Sequence, residues 1–217
     1  MARESKAALA RRCARITAIL KRDYPAAATR LHHADALQLL VATILSAQCT
    51  DDRVNLVTPG LFARYRSPAD FAAASQADLE QQVRTTGFFR NKAKNIRAAC
   101  QRIVDSFGGR VPDTMDDLLT LPGVARKTAN VVLGNAYGKT EGITVDTHVI
   151  RLSARLAFSR QRDPVKIERD LMAVVPRKDW TVFSHLLIFH GRAVCTARKP
   201  RCPDCPVNNL CPSAGKV

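Results

Sequence analysis

The chain has 217 residues, 46% hydrophobic and 24% charged, with ten Gly and eleven Pro. That is ordinary globular usage, and it excludes disordered, collagenous and low-complexity chains. Thirty-four Lys and Arg against nineteen Asp and Glu leave a formal charge of +15, which favours a polyanionic partner because each neutralised phosphate releases a condensed counterion. The longest apolar stretch, Leu39 to Leu45, is too short to span a bilayer, and Met1 to Lys6 shows no apolar h-region, so the expectation is a soluble, cytoplasmic chain.

Hydrophobic spacing is helical almost throughout, which predicts an all-α fold. A first helix is expected from about Lys6 to Arg22, with Leu9, Cys13, Ile16 and Leu20 on one face, and a more apolar one over Ala36 to Gln48. Thr50-Asp51-Asp52 supplies a cap and acidic first turn for the next helix, which Pro59-Gly60 is expected to interrupt or kink. Ser75-x-x-Asp78 and Thr114-x-x-Asp117 open short helices as capping-box patterns. An amphipathic helix from Phe89 to Phe107 is expected to place Ile96, Ala99, Cys100, Ile103 and Phe107 on one face, and Gly108-Gly109 ends it. Seven basic residues and one acid between Arg84 and Arg110 read either as a solvated face or as a phosphate-tracking surface. Further helices are expected over Arg126 to Tyr137, Asp146 to Phe158, Pro164 to Val175 and Asp179 to Val194, with Asp163-Pro164 as cap and first residue of the third.

Leu118 to Ala129 reads as helix, Pro122-Gly123 turn and new helix, which leaves amides at a helix start suited to a phosphate. Lys127 falls in the first turn of that second helix. The helix dipole and Arg126 both disfavour its ammonium form, and a neutral amine is a nucleophile able to form a Schiff base. An ordinary surface lysine, or one touching phosphate, fits the same position. Nineteen residues on, Asp146 starts another helix: either a plain N-cap or a carboxylate that balances positive charge developing on a sugar.

Of the seven cysteines, Cys13, Cys49 and Cys100 sit in helical patterns as small core residues. Cys195, Cys202, Cys205 and Cys211 crowd together near the C-terminus, where a cytosolic chain reads as a metal site rather than a disulfide framework. Four thiolates hold either zinc or an iron–sulfur cluster.

Together these segments resemble the endonuclease III family of helix-hairpin-helix DNA glycosylases. Leu121-Pro-Gly-Val-Ala-Arg-Lys127-Thr-Ala129 is similar to the family hairpin, Val145-Asp146-Thr147-His148 to the segment of its catalytic aspartate, and the four-cysteine loop to its cluster loop. Leu45-Ser46-Ala47-Gln48 and His190-Gly191-Arg192 also look like family segments. The resemblance implies a six-helix domain over 29–139 carrying the hairpin, a cluster domain from 1–28 with 140–217, and a DNA-binding cleft between them. It implies a [4Fe–4S] cluster on the four cysteines, with Lys127 and Asp146 as catalytic residues. Gln48 would fill the gap left by a flipped nucleotide and Phe88 would wedge beside it. Pro122, Gly123, Val124, Ala125, Arg126, His148 and Lys199 would contact DNA, the last on a basic loop that the cluster orders.

The expected substrate is double-stranded DNA with damaged pyrimidines or abasic sites, handled by a nucleoid-associated monomer without membrane contact. A monofunctional mismatch glycosylase and a non-catalytic DNA-binding iron–sulfur protein are the alternatives. Ala125 stands where the family hairpin has its second glycine, and costs about 1 kcal/mol if the position requires a positive φ.

Overall fold

A computed structural model describes residues 4–216; Met1–Arg3, part of the segment read for a targeting signal, and Val217 lie outside the described residues. All regular structure among the described residues is helical: α1 (Lys6–Asp23), α2 (Ala36–Leu45), α3 (Asp51–Arg64), α4 (Pro68–Ala73), α5 (Gln76–Val83), α6 (Phe89–Phe107), α7 (Met115–Leu119), α8 (Arg126–Ala136), α9 (Thr147–Arg155), α10 (Pro164–Met172) and α11 (Trp180–Ala193), with short 3-10 turns. No helix among them is long and apolar enough to cross a membrane. The chain divides into two compact units, Thr29–Glu141 and Met1–Ala28 with Gly142–Val217.

In the unit formed by 29–141, α6 packs against α4 and α5, and α2 against α8, α3 and α6. The sequence makes α2 apolar nearly all round, and Leu37, Leu39 to Leu45 are all buried, as expected of a helix at the centre of a core. Its last helical residue is Leu45 rather than Gln48, because Ser46 turns its hydroxyl back to the carbonyl of Thr43 at 2.8 Å. Helix α4 escapes the hydrophobic period because it is only six residues long. Its start is nevertheless written in Ser67-Pro68-x-Asp70: Ser67 accepts from the Asp70 amide at 3.2 Å and Asp70 accepts from the Ser67 amide at 2.9 Å, a complete capping box.

Pro59-Gly60 does not interrupt α3. Val54, Thr58 and Leu61 are buried on both sides of the proline, and that anchorage outweighs the ~3 kcal/mol that an interior proline costs a free helix. Among the seven basic residues of 84–110, Lys92 is buried with only 4% exposure, so the basic run is not uniformly a surface.

The other unit gathers Cys13, Ile16 and Leu20 of α1 with Val149, Leu152, Ile167, Leu171, Phe183, Leu186 and Leu187 into one core. Burial pushes the Cys13 thiol up to about 11, and in the first unit the Cys100 thiol up to about 12, so both stay protonated and act as small apolar side chains. Cys49 is only partly buried, at the edge of its core. Helices α9 and α11 approach closely because residue 191 is glycine: a Cβ there would lie 2.8 Å from Nδ1 of His148 and 2.9 Å from a guanidinium nitrogen of Arg151.

Two glycine replacements test these placements in opposite directions. Gly191→Ala should lower stability in chemical denaturation by about 1–3 kcal/mol, the usual cost of overpacking. Gly60→Ala, with nothing within 4 Å of the added Cβ, should raise it by roughly 0.5–1 kcal/mol.

Candidate functional site

The hairpin is built from the residues that bracket it. Thr114 caps α7 by accepting from the Asp117 amide, and the chain then turns through Leu121 N to Leu118 O and Val124 N to Leu121 O, each 3.1 Å. Leu121 and Val124 are buried while Pro122 and Gly123 are exposed, so the turn is anchored by its flanks and presents its tip. Gly123 has φ +77°, and a Cβ would fall 2.7 Å from Cβ of Asn95 on α6. Both the dihedral and the contact require glycine there.

Ala125 has φ −94° and ψ 170°, extended backbone open to any residue. The conditional cost expected of alanine at this position therefore does not arise. Ala125 offers no side-chain cap to α8, so the first-turn amides are not closed off by their own N-cap residue. Lys127 lies exposed in that first turn, backed by the buried Ala129, Val132 and Leu133.

Gln48 and Phe88 belong to the same unit and share an uncommon feature. The non-glycine residues with positive φ among the described ones are Gln48 (53°), Phe88 (47°) and Ala157 (53°). An L-residue held in that region costs roughly 1–2 kcal/mol, and such strain concentrates at functional positions. Both side chains are exposed, Phe88 by 69%, so neither conformation serves to bury its side chain.

In the other unit Asp146 is the N-cap of α9, its carboxylate accepting from the Val149 amide at 2.8 Å. That bond and the dipole of α9 hold the carboxylate at a fixed place at the helix start. Two histidines sense it. Burial lowers the pKa of His148, opposed by the charge of Asp146 and assisted by Arg151 and Arg192; burial likewise lowers that of His185, again opposed by Asp146. A guanidinium nitrogen of Arg151 lies 3.1 Å from Nδ1 of His148. Guanidinium only donates, so Nδ1 accepts and the neutral ring carries its proton on Nε2.

Arg151 also donates to the carbonyls of Gly191 and Cys195, which joins the aspartate helix to the cysteine loop. The loop is pinned by further arginines: Arg155 donates to the carbonyls of Thr196 (2.7 Å) and Ala197 (2.8 Å), and Arg12 to those of Leu156 (2.8 Å) and Leu210 (3.2 Å). In the sequence the spacing of these three arginines does not distinguish a loop staple from a surface charge. His190 contributes as well, with Nε2 3.4 Å from the Cys205 sulfur and Nδ1 3.1 Å from the Tyr24 hydroxyl. Lys199 is exposed on the loop, its carbonyl accepting from the Thr196 hydroxyl at 2.7 Å.

Cys195, Cys202, Cys205 and Cys211 all line one cavity, together with apolar atoms of Leu152, Leu156 and Val207. Among the described residues no three His, Cys, Asp or Glu side chains converge as a single metal ion requires. Four thiols spread around an apolar chamber suit a larger polynuclear group, and thiolate is the ligand that iron–sulfur clusters take. The four cysteines lining that cavity are the donor set that a four-thiolate iron–sulfur cluster takes.

Comparison with known proteins agrees with this geometry. Residues 41–177 match the HhH-GPD superfamily base excision DNA repair protein family, and residues 195–211 match the iron–sulfur binding domain of endonuclease III. The class is thus the helix-hairpin-helix enzymes of base excision DNA repair. The chain is 57% identical to the endonuclease III of Synechocystis sp. over 94% of its length and 93% of that protein's, and 48% identical to that of Bacillus subtilis over 87% and 86%. A solved structure of a trapped endonuclease III–DNA covalent intermediate superposes with a TM-score of 0.89 at 43% identity, covering 94% of this chain and 96% of the other. The chain belongs to the endonuclease III family of DNA glycosylase/AP lyases, with a [4Fe–4S] cluster as its cofactor.

The histidines make stability depend on pH in a definite direction. Their folded pKa values lie below the unfolded value of 6.5, so the unfolded chain binds more protons and stability falls as pH drops below that value. Thermal melting should be flat above about pH 7 and decline on acidification below about pH 6.5. The decline should be shallower in His185→Gln.

Proposed function

We propose that this enzyme removes oxidised pyrimidines from double-stranded DNA and cuts the resulting abasic site, with Lys127 as nucleophile and Asp146 as the supporting carboxylate. The observation that carries the proposal is the exposed Lys127 in the first turn of the hairpin helix, in a family one of whose members has been trapped as a covalent intermediate with DNA. The target nucleotide leaves the stack, and the Nζ lone pair attacks C1′ as the C1′–base bond breaks and the base departs with that electron pair. Asp146 stabilises the positive charge that develops on the sugar. Loss of a proton from nitrogen and ring opening give a C1′=N Schiff base. Removal of a C2′ proton then expels the 3′ phosphate, nicking the strand on the 3′ side.

The hairpin segment Pro122–Arg126, through backbone N–H groups such as that of Gly123, with His148 and Lys199, holds the phosphates without reading sequence. Gln48 fills the vacated position and Phe88 wedges the stack beside it. Cys195, Cys202, Cys205 and Cys211 would ligate the cluster, which would order the basic loop around Lys199. The enzyme acts as a monomer, and the charge of +15 supports association with the nucleoid.

Borohydride trapping on a thymine-glycol duplex tests the chemistry. The wild-type chain should give a covalent adduct that Lys127→Ala abolishes while still binding the duplex. Asp146→Asn should reduce turnover by about 10²-fold or more with little change in affinity. Base release without any adduct would overturn the lysine mechanism.

A further inference from the structure

We propose that Lys92 is a positioning residue for DNA insertion: its ammonium ties together the two loops that hold Gln48 and Phe88 in left-handed backbone. The inference rests on the reading of Gln48 as gap filler and Phe88 as wedge. Lys92 sits on α6 with only 4% of its surface exposed. Its Nζ donates to the carbonyl of Leu45 at 2.8 Å and to that of Thr86 at 2.6 Å. Leu45 is the last residue of α2, and Thr86 the last of the 3-10 turn Arg84–Thr86. Gln48 follows three residues after the first carbonyl, and Phe88 two residues after the second.

The end of a helix leaves carbonyls without partners, and these carry partial negative charge. One ammonium placed between two such ends satisfies both and fixes their separation. The main chain adds to the tie, since the Lys92 amide donates to the Phe88 carbonyl at 3.1 Å, and the Thr86 hydroxyl donates to Val83 O at 2.8 Å. Gly87 between them has φ +70°, so the segment from Thr86 to Phe88 is held at its base and unusual along its length.

Stability alone does not account for a lysine here. Burial lowers its pKa, offset in part by negative charge on the Cys49 sulfur, which marks the ammonium as unfavourably solvated. A methionine would fill the same space without that penalty. What methionine cannot do is bridge two carbonyls. The lysine is therefore explained by the geometry it imposes on the two loops.

The test compares Lys92→Met, Gln48→Ala, Phe88→Ala and their combinations in the cluster-containing protein. Two rates are read: cleavage of a thymine-glycol duplex, and strand scission at an abasic site in single-stranded DNA, which has no opposing stack to fill. Lys92→Met should lower the duplex rate at least about tenfold more than the single-strand rate. Added to Gln48→Ala/Phe88→Ala it should cost less than about threefold further, because residues acting as one unit are non-additive. Equal losses on both substrates, or full additivity, would make Lys92 merely structural and overturn the proposal. If Gln48→Ala and Phe88→Ala themselves show no duplex-selective loss, the insertion reading fails, and this inference with it. Should Lys92→Met not fold, Lys92→Gln, which keeps a donor but is too short to span both carbonyls, is read the same way.

Discussion

Helix α6 presents Ala93, Ile96, Ala99, Cys100 and Ile103 to the core, and the functional pieces of its unit are placed relative to that stripe. Asn95, one residue before Ile96, meets the hairpin so closely that only glycine fits at 123. Lys92, one turn before Ile96, reaches the ends of α2 and of the 3-10 turn. A helix is stiff over this distance because each residue is fixed by its i→i−4 bond. Packing of a single element thus sets the hairpin tip and both left-handed loops without a separate support for each.

The second unit solves a different problem. Its tail has four prolines and little regular structure after Cys195, so backbone carbonyls there lack partners from a helix or sheet. Arg12, Arg151 and Arg155 provide them: Arg12 and Arg151 each span two segments, and Arg155 holds the successive carbonyls of Thr196 and Ala197. Guanidinium suits the role because its fixed fork of donors satisfies several carbonyls and stays charged when partly buried. Arg151 does this while also accepting the task of orienting His148, so the surroundings of Asp146 and the cysteine loop share one side chain.

Much of this was legible in the sequence where one local rule dominated. The span of α6 follows from its apolar period and terminal glycines, and the caps at Thr50, Thr114 and Asp163 all form as their residue types demand. Readings failed where tertiary packing overrode local preference: α3 runs through Pro59, and α4 is too short to show a period. Lys92 shares the face of Ile96, Ala99 and Ile103 at spacings of four, seven and eleven, so a cation in register with an apolar stripe was the available signal. Left-handed backbone at Gln48 and Phe88 has no such signal, because neither residue type favours it. Ala125 shows the converse: a missing glycine suggested strain, but the dihedral it adopts is one alanine accepts.

The protonated state of Cys13 and Cys100 has a consequence for how the protein survives the conditions that create its substrates. Oxidants that modify pyrimidines also attack sulfur, and they attack the thiolate far faster than the thiol. Two sulfhydryls held in the neutral form within apolar cores are poor targets for peroxide and poor traps for ferrous iron. The interiors packed around α1 and α6 therefore carry their sulfur in its least reactive form.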